Sequence, residues 1–136
     1  MVRYAAFLRG ISPLNPNMKN VLLREVFERA GFENVQTVIS SGNVLFESAD
    51  TDSAKLESCI EKALPEQLGF HSMTIILSEA DLKRVDEKNT YKRENAPKNV
   101  SLSVSFTKKQ AYLPDDLPHK ADAQGFGVLG AYDRAV

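Results

Sequence analysis

Two short stretches of the chain hold the residues best suited to chemistry. Arg9, Gly10, Ser12, Asn17 and Lys19 lie near its start, and Ser41-Gly42-Asn43 follow some way on. Arginine offers a planar fork of donors, lysine a point charge, and serine and asparagine short hydrogen-bonding groups. Such a set suits a phosphate or a carboxylate. Its chemistry would be electrostatic positioning, because neither stretch pairs a nucleophile with a base. Each member also has a purely structural use. Gly42-Asn43 fits a tight hairpin turn, Asn15 and Asn17 are natural helix caps, and Arg9 could pair with a carboxylate. What favours a site is convergence, and that depends on how the elements place the two stretches.

The other reactive residue types read as structural. His71, beside Gly69-Phe70, is a loop histidine, and His119 in Leu117-Pro118-His119-Lys120 lies in an exposed loop. Cys59 shares an apolar helical face with Ile60 and Ala63, so it is expected to be buried as a small hydrophobe. Glu57 and Glu61 fall at helical spacing and belong to a solvated face. Lys88, Lys92, Arg93 and Lys98 around Glu94 form a basic, solvated loop. One cysteine excludes an internal disulfide, and one cysteine with two histidines argues against structural zinc. No P-loop, GxGxxG, HExxH or GxSxG motif occurs, and no cofactor is called for.

The elements that must position the polar stretches follow from periodicity and punctuation. Arg3–Leu8 is an apolar strand ending at Arg9-Gly10, and the loop Ile11–Asn17 is stiffened by two prolines. Asn15 with Pro16 reads as an N-cap and first helical residue, with Asn17 the competing cap. Met18, Leu22, Val26, Phe27 and Ala30 form a helical stripe that Gly31 stops. Val35–Ile39 and Val44–Phe46 make a hairpin through Ser40-Ser41-Gly42-Asn43. Asp52 or Ser53 opens a helix with Leu56, Cys59, Ile60, Ala63 and Leu64 on one face, ended or kinked by Pro65 and closed by Gly69. Met73–Leu77 is the next strand.

The order β-α-β-β-α-β is that of a ferredoxin-like split βαβ unit. In it the end of the first strand, the hairpin, the start of the fourth strand and the first helix's N-terminus share one edge. The candidate residues, with Asn15, Ser40 and His71, should meet there, and the helix N-terminus adds positive partial charge.

Further along, Ser78-Glu79-Ala80-Asp81 resembles a capping box opening a helix with Leu82 and Val85 inside. A polar loop over Lys88–Asn99, an alternating strand Val100–Phe106, a loop over Thr107–Gln124 and a strand Phe126–Tyr132 follow. The expected fold is α+β: a ferredoxin-like βαββαβ half over 1–78 with helices on one sheet face. An incomplete second α/β half over 79–136 (helix, loop, two strands) packs on it. Tyr4–Leu8 and Thr74–Leu77 are apolar on both faces, so the second face needs cover. Residues 78–136 and a continuation beyond residue 136 are the favoured cover, with a second subunit, and so a homo-oligomer, the alternative.

Composition narrows the class. With 136 residues, 43% hydrophobic and 26% charged, the chain is an ordinary globular protein. Roughly 68% of the surface of an extended chain this long is buried on folding. No apolar run approaches the roughly 20 residues of a membrane helix, and MVRYAAFLRG is not a signal peptide. A cytoplasmic location without a membrane partner is therefore expected. Seventeen Lys and Arg against 18 Asp and Glu give no general attraction to nucleic acid.

Leu8-Arg9-Gly10-Ile11, Met18-Lys19, Gly31-Phe32-Glu33-Asn34-Val35 and Ile39-Ser40-Ser41-Gly42-Asn43-Val44, in this order, resemble the bacterial domain-of-unknown-function family 1697. Its hallmarks are an LRGIN-type opening and an SGNV-type hairpin. The resemblance runs clearly over residues 1–78 and more loosely to 136, where Phe126-Gly127-Val128 and Tyr132 are similar to a later strand. It implies two ferredoxin-like halves packed together and carries no established activity. Ser12-Pro13-Leu14 replace a glycine-rich stretch usual in the family, which weakens the case for a flexible phosphate cradle. The chain also has no Trp and lacks the family's TRNW-like C-terminal segment. If that segment completes a site, this chain would be inactive.

A small anionic ligand is thus the expected partner, with the question of enzyme activity open. A protein-interaction or structural domain is the alternative. An RNA-binding module, which shares this strand order, ranks third because Asn43-Val44-Leu45-Phe46-Glu47 lacks a basic-glycine-aromatic signature.

Overall fold

The computed structural model describes residues 1–88, 103–109, 119–121, 126–128 and 134–135. The chain divides into two compact units, Met1–Leu82 and Lys83–Val136. In the first, β1 (Val2–Leu8), α1 (Asn20–Arg29), β2 (Glu33–Val38), β3 (Asn43–Ser48), α2 (Ser53–Leu68) and β4 (Thr74–Ser78) follow one another. The sheet order is β2-β3-β1-β4, with every neighbouring pair antiparallel. This is the ferredoxin-like arrangement.

Alternation along the strands builds the core. Tyr4, Ala6 and Leu8 of β1, Val44 and Phe46 of β3 and Ile76 of β4 share a cluster with the helices. Leu23, Val26 and Phe27 of α1 and Leu56, Ile60 and Leu64 of α2 complete it. Phe46 sits at its centre, stacked on Tyr4 at 5.4 Å and on Phe32 at 4.5 Å. Each such large side chain contributes about 1.5–3 kcal/mol by leaving water. Ala5, Ile75 and Leu77, whose positions alternate with that cluster, are buried as well.

The start of α1 differs from expectation. Pro16–Met18 is a short 3-10 turn, capped by Asn15 through its side-chain bond from the Asn17 N–H. The chain then extends at Lys19 (φ −64°, ψ 145°), and α1 begins at Asn20 with no side-chain cap. Restarting the helix there shifts its phase, so Leu23 rather than Leu22 joins Val26 and Phe27 in the core. Its other end is as expected. Gly31 (φ 88°) donates to Glu28 and Phe32 to Phe27, and the Phe27 and Phe32 rings meet at 6.0 Å. That is a Schellman stop with its hydrophobic contact.

The hairpin is longer than a two-residue turn. Val38 pairs with Asn43, leaving residues 39–42 as the loop and Asn43 inside β3. Helix α2 is capped by Asp52, passes through Pro65 and closes at Gly69 (φ 77°). A proline this near the end costs one backbone bond but leaves the last turn intact.

Two assignments on α2 reverse. Cys59 is exposed, and Glu57 is buried at 4% exposure, its Oε2 accepting the Ile76 N–H at 2.8 Å. The buried stripe Leu56, Ile60 and Leu64 centres on Ile60. At about 100° per residue, Glu57 lies about 60° from that centre and Cys59 about 100°. Since α2 lies along β4, an edge strand, position 57 falls beside the strand's outward N–H.

Helix α3 (Glu79–Lys88) leaves β4 directly, with Ser78 Oγ accepting the Asp81 N–H at 3.2 Å. In the second unit β5 (His119–Ala121) pairs antiparallel with β6 (Phe126–Val128). His119 therefore lies in a strand, not a loop, because residues 126–128 give its backbone a partner. Phe106 bridges Ala135, and Thr107 and Arg134 exchange bonds of 2.8 and 2.6 Å. Of the alternating stretch, residues 103–105 are not strand. The polar loop after Lys88, Val100–Leu102 and residues 129–133 lie outside the described residues.

Candidate functional site

The sheet edge at the end of β1 is tied together by backbone-directed bonds. The Leu8 N–H donates to Gly42 at 2.9 Å, joining β1 to the hairpin. The Arg9 N–H donates to Met73 at 3.0 Å, and Ser72 Oγ donates to the Arg9 carbonyl at 2.8 Å, joining β1 to the start of β4. Asn20 Nδ2 donates to the Ile39 carbonyl at 2.9 Å, joining α1 to the hairpin. The four segments expected at one edge are therefore there. Asn20 and Ser72, which the sequence did not single out, are two of the pins. Both bond backbone carbonyls far away in sequence, so no local pattern announces them.

Several candidate side chains are used internally. Gly42 is buried with φ 83°, and a Cβ would stand 2.6 Å from Ile11 Cγ1 and 2.9 Å from the Leu8 carbonyl oxygen. Asn43 Nδ2 donates to Ser41 Oγ at 2.9 Å, closing the hairpin on itself. Ser12 Oγ accepts the Leu14 N–H at 3.3 Å. Gly10 (φ 75°) and Ser40 are exposed. Ser40 and Ser41 face solvent with their hydroxyls, and so do four further donors, Arg9, Asn17, Lys19 and His71. Among the described residues none of these four makes an ion pair or side-chain hydrogen bond.

The electrostatics of this edge follow from which segments form it. Residues 9–24, 37–46 and 69–77 contain no Asp or Glu, although the first unit carries seven Lys and Arg against eleven Asp and Glu. The carboxylates gather at the opposite edge, where Glu33, Glu47, Asp50, Asp52, Glu79 and Asp81 lie near the other strand ends. There Lys55 Nζ meets Asp50 Oδ2 at 2.8 Å. That hydrogen bond, helped by the Asp52 N–H, holds the Asp50 carboxyl below its usual range, and Asp50 raises Lys55 in return. Tyr4 donates to the Asp50 carbonyl at 2.6 Å, and burial pushes its phenol upward.

A groove of about 350 Å³ also lies on that acidic side, lined among others by Arg3, Ala5, Gln36, Leu45, Glu47 and Glu79. Arg3 pairs with Glu79 at 3.4 Å, and Asn34 bonds Glu47. With two carboxylates to one guanidinium it has the wrong sign for an anion, and it holds none of the eight candidates. The middle strands carry Ala5, Phe7 and Leu45 between the core positions, while Tyr4 and Phe46 are buried in the core. Phe7, on the other face of β1, is half-buried.

A family model described as protein of unknown function (DUF1697) matches residues 1–126. The chain belongs to this family. Among solved structures it is similar to the conserved bacterial protein SP0830 from Streptococcus pneumoniae. Identity is 31%, over 65% of this chain and 49% of that one, with a TM-score of 0.57. The match thus spans about half the length of the pneumococcal protein. No curated protein matches the chain. The fold explains why the family's two hallmark segments occur together. Leu8–Ile11 and the hairpin at Gly42 are hydrogen-bonded through Leu8 and packed through Ile11. Much of the motif therefore builds the edge, leaving Arg9 as its exposed cation. Ser12-Pro13-Leu14 form the loop beside it.

Proposed function

We propose that the β1–hairpin–α1 edge binds a small anionic group, a phosphate or carboxylate. Arg9 and Lys19 supply the charge, Asn17 a donor, and the uncapped α1 its N-terminal amides. The observation that carries this reading is the exposure of Arg9 and Lys19, with no ion pair among the described residues, in segments (9–24, 37–46 and 69–77) that hold no Asp or Glu in an otherwise acidic unit. An uncapped helix start adds about 0.3–1 kcal/mol toward an anion, and each exposed cation roughly 1 kcal/mol. For inorganic phosphate this places the dissociation constant on the order of 10 mM. Binding, rather than turnover, is what these groups support. A cytoplasmic location belongs to the same reading, since an exposed thiol such as Cys59 suits a reducing compartment.

Thermal unfolding with phosphate, nucleotides and sugar phosphates, against sodium chloride of equal ionic strength, tests it. A ligand at 100 times its dissociation constant stabilises by about 2.7 kcal/mol. The expected result is a melting temperature raised by several degrees with at least one phosphate and a lost response in Arg9→Ala/Lys19→Ala. No response to any anion, or an undiminished one in the double variant, overturns it.

A further inference from the structure

Seven large hydrophobic residues are exposed among the described residues, and five of them lie in the segments of the basic edge: Leu14, Val21, Val38, Ile39 and Met73. Leu14 is 92% exposed in the proline-stiffened loop after β1, and Ile39 is 70% exposed in the hairpin loop. Ile39 is also held at φ 51°, where glycine or asparagine sits easily and a β-branched residue is strained. An aliphatic side chain kept in water at a conformational cost points to a use for that side chain. The same segments carry Arg9 and Lys19 and no carboxylate, while the opposite edge gathers six acidic residues.

We propose that this edge docks on the surface of an anionic phospholipid bilayer. Leu14 and Ile39 enter the headgroup layer, and Arg9 and Lys19 meet the lipid phosphates. This rests on the anion-binding reading and names the carrier of the anion. Two features favour a bilayer over a soluble ligand. The exposed aliphatic residues come from four separate segments and stand free in solvent, as interfacial contacts do. The charge separation also orients the unit, because an anionic surface attracts one edge and repels the other. The expectation of no membrane partner rested on the length of apolar runs, which bears on crossing a bilayer and not on lying against one.

Flotation of the 136-residue chain with phosphatidylglycerol vesicles, and separately with phosphatidylcholine vesicles, tests the proposal. Binding is expected to phosphatidylglycerol alone, weakening as salt rises from about 50 to about 500 mM. Removing a cation should weaken it about fivefold, so Arg9→Ala/Lys19→Ala loses roughly 25-fold. Leu14→Asp should lose about tenfold. Ile39→Asn should bind more weakly while melting about 4 °C higher, a combination that a merely structural residue would not give.

No flotation with phosphatidylglycerol, equal flotation with both lipids, or unchanged flotation of Leu14→Asp and Ile39→Asn overturns the proposal. So does a dimer in light scattering that Leu14→Asp abolishes, since a second copy would then cover the edge. If soluble phosphate still stabilises the chain while vesicles are ignored, docking falls and anion binding stands. If neither phosphate nor vesicles bind, both fall.

Discussion

At Gly42 the hairpin passes so close to the β1 loop that a methyl group would stand 2.6 Å from Ile11 Cγ1, and φ is 83°. Alanine there must bear a left-handed backbone and displace a neighbour. Gly42→Ala is expected to cost about 3 kcal/mol in urea denaturation, combining strain and overpacking. A loss below about 1 kcal/mol would mean that the approach is slack. The sequence made Gly42 legible as a turn residue, because glycine before asparagine is a local signal. Its contact with Ile11 was not legible, since that partner belongs to another element. The same holds for the bond from Asn43 to Ser41 Oγ, which occupies the Asn43 amide and leaves the exposed Ser41 hydroxyl able to donate. Arg9, Asn17 and Lys19 remain with their side chains exposed.

Among the elements, β4 shows how an edge strand is kept from pairing elsewhere. Its Ile76 N–H is taken by the buried Glu57 carboxylate of α2 at 2.8 Å. A hydrogen bond to a charged group contributes about 1.5–3 kcal/mol, and an uncovered strand edge invites association. Glu57→Ala should therefore lower stability by about 2 kcal/mol and raise concentration-dependent aggregation on heating. Glu57→Gln should do less, because its amide oxygen can still accept. If Glu57→Ala matches the native chain in both respects, the bond has no structural weight. This carboxylate was misread from sequence because a count of apolar residues includes Cys59 and shifts the apparent centre of the α2 face. Helix and strand types were legible from local periods and stops. The break at Lys19 was not, because Asn15-Pro16 satisfies the signature of a helix start and gives only a 3-10 turn.

For the whole first unit, the order of elements was enough to bring the polar stretches to one edge, since the split βαβ topology leaves no other place for them. That residues 9–24, 37–46 and 69–77 hold no carboxylate is written in the sequence too, but it acquires meaning only when these three distant segments are joined. The acidic groove is harder to foresee. Arg3, Glu47 and Glu79 meet across three elements, and none carries a local motif. The unit is thus electrically polarised, and its basic end is where an anion should go. A ¹H–¹⁵N NMR titration of the 136-residue chain with inorganic phosphate locates the anion directly. The expected amide shifts are at Gly10, Lys19, Asn20, Val21 and Ser41, with Asn34, Glu47 and Glu79 unmoved. Shifts confined to the groove residues, or none up to about 100 mM phosphate, would contradict the assignment of the basic edge.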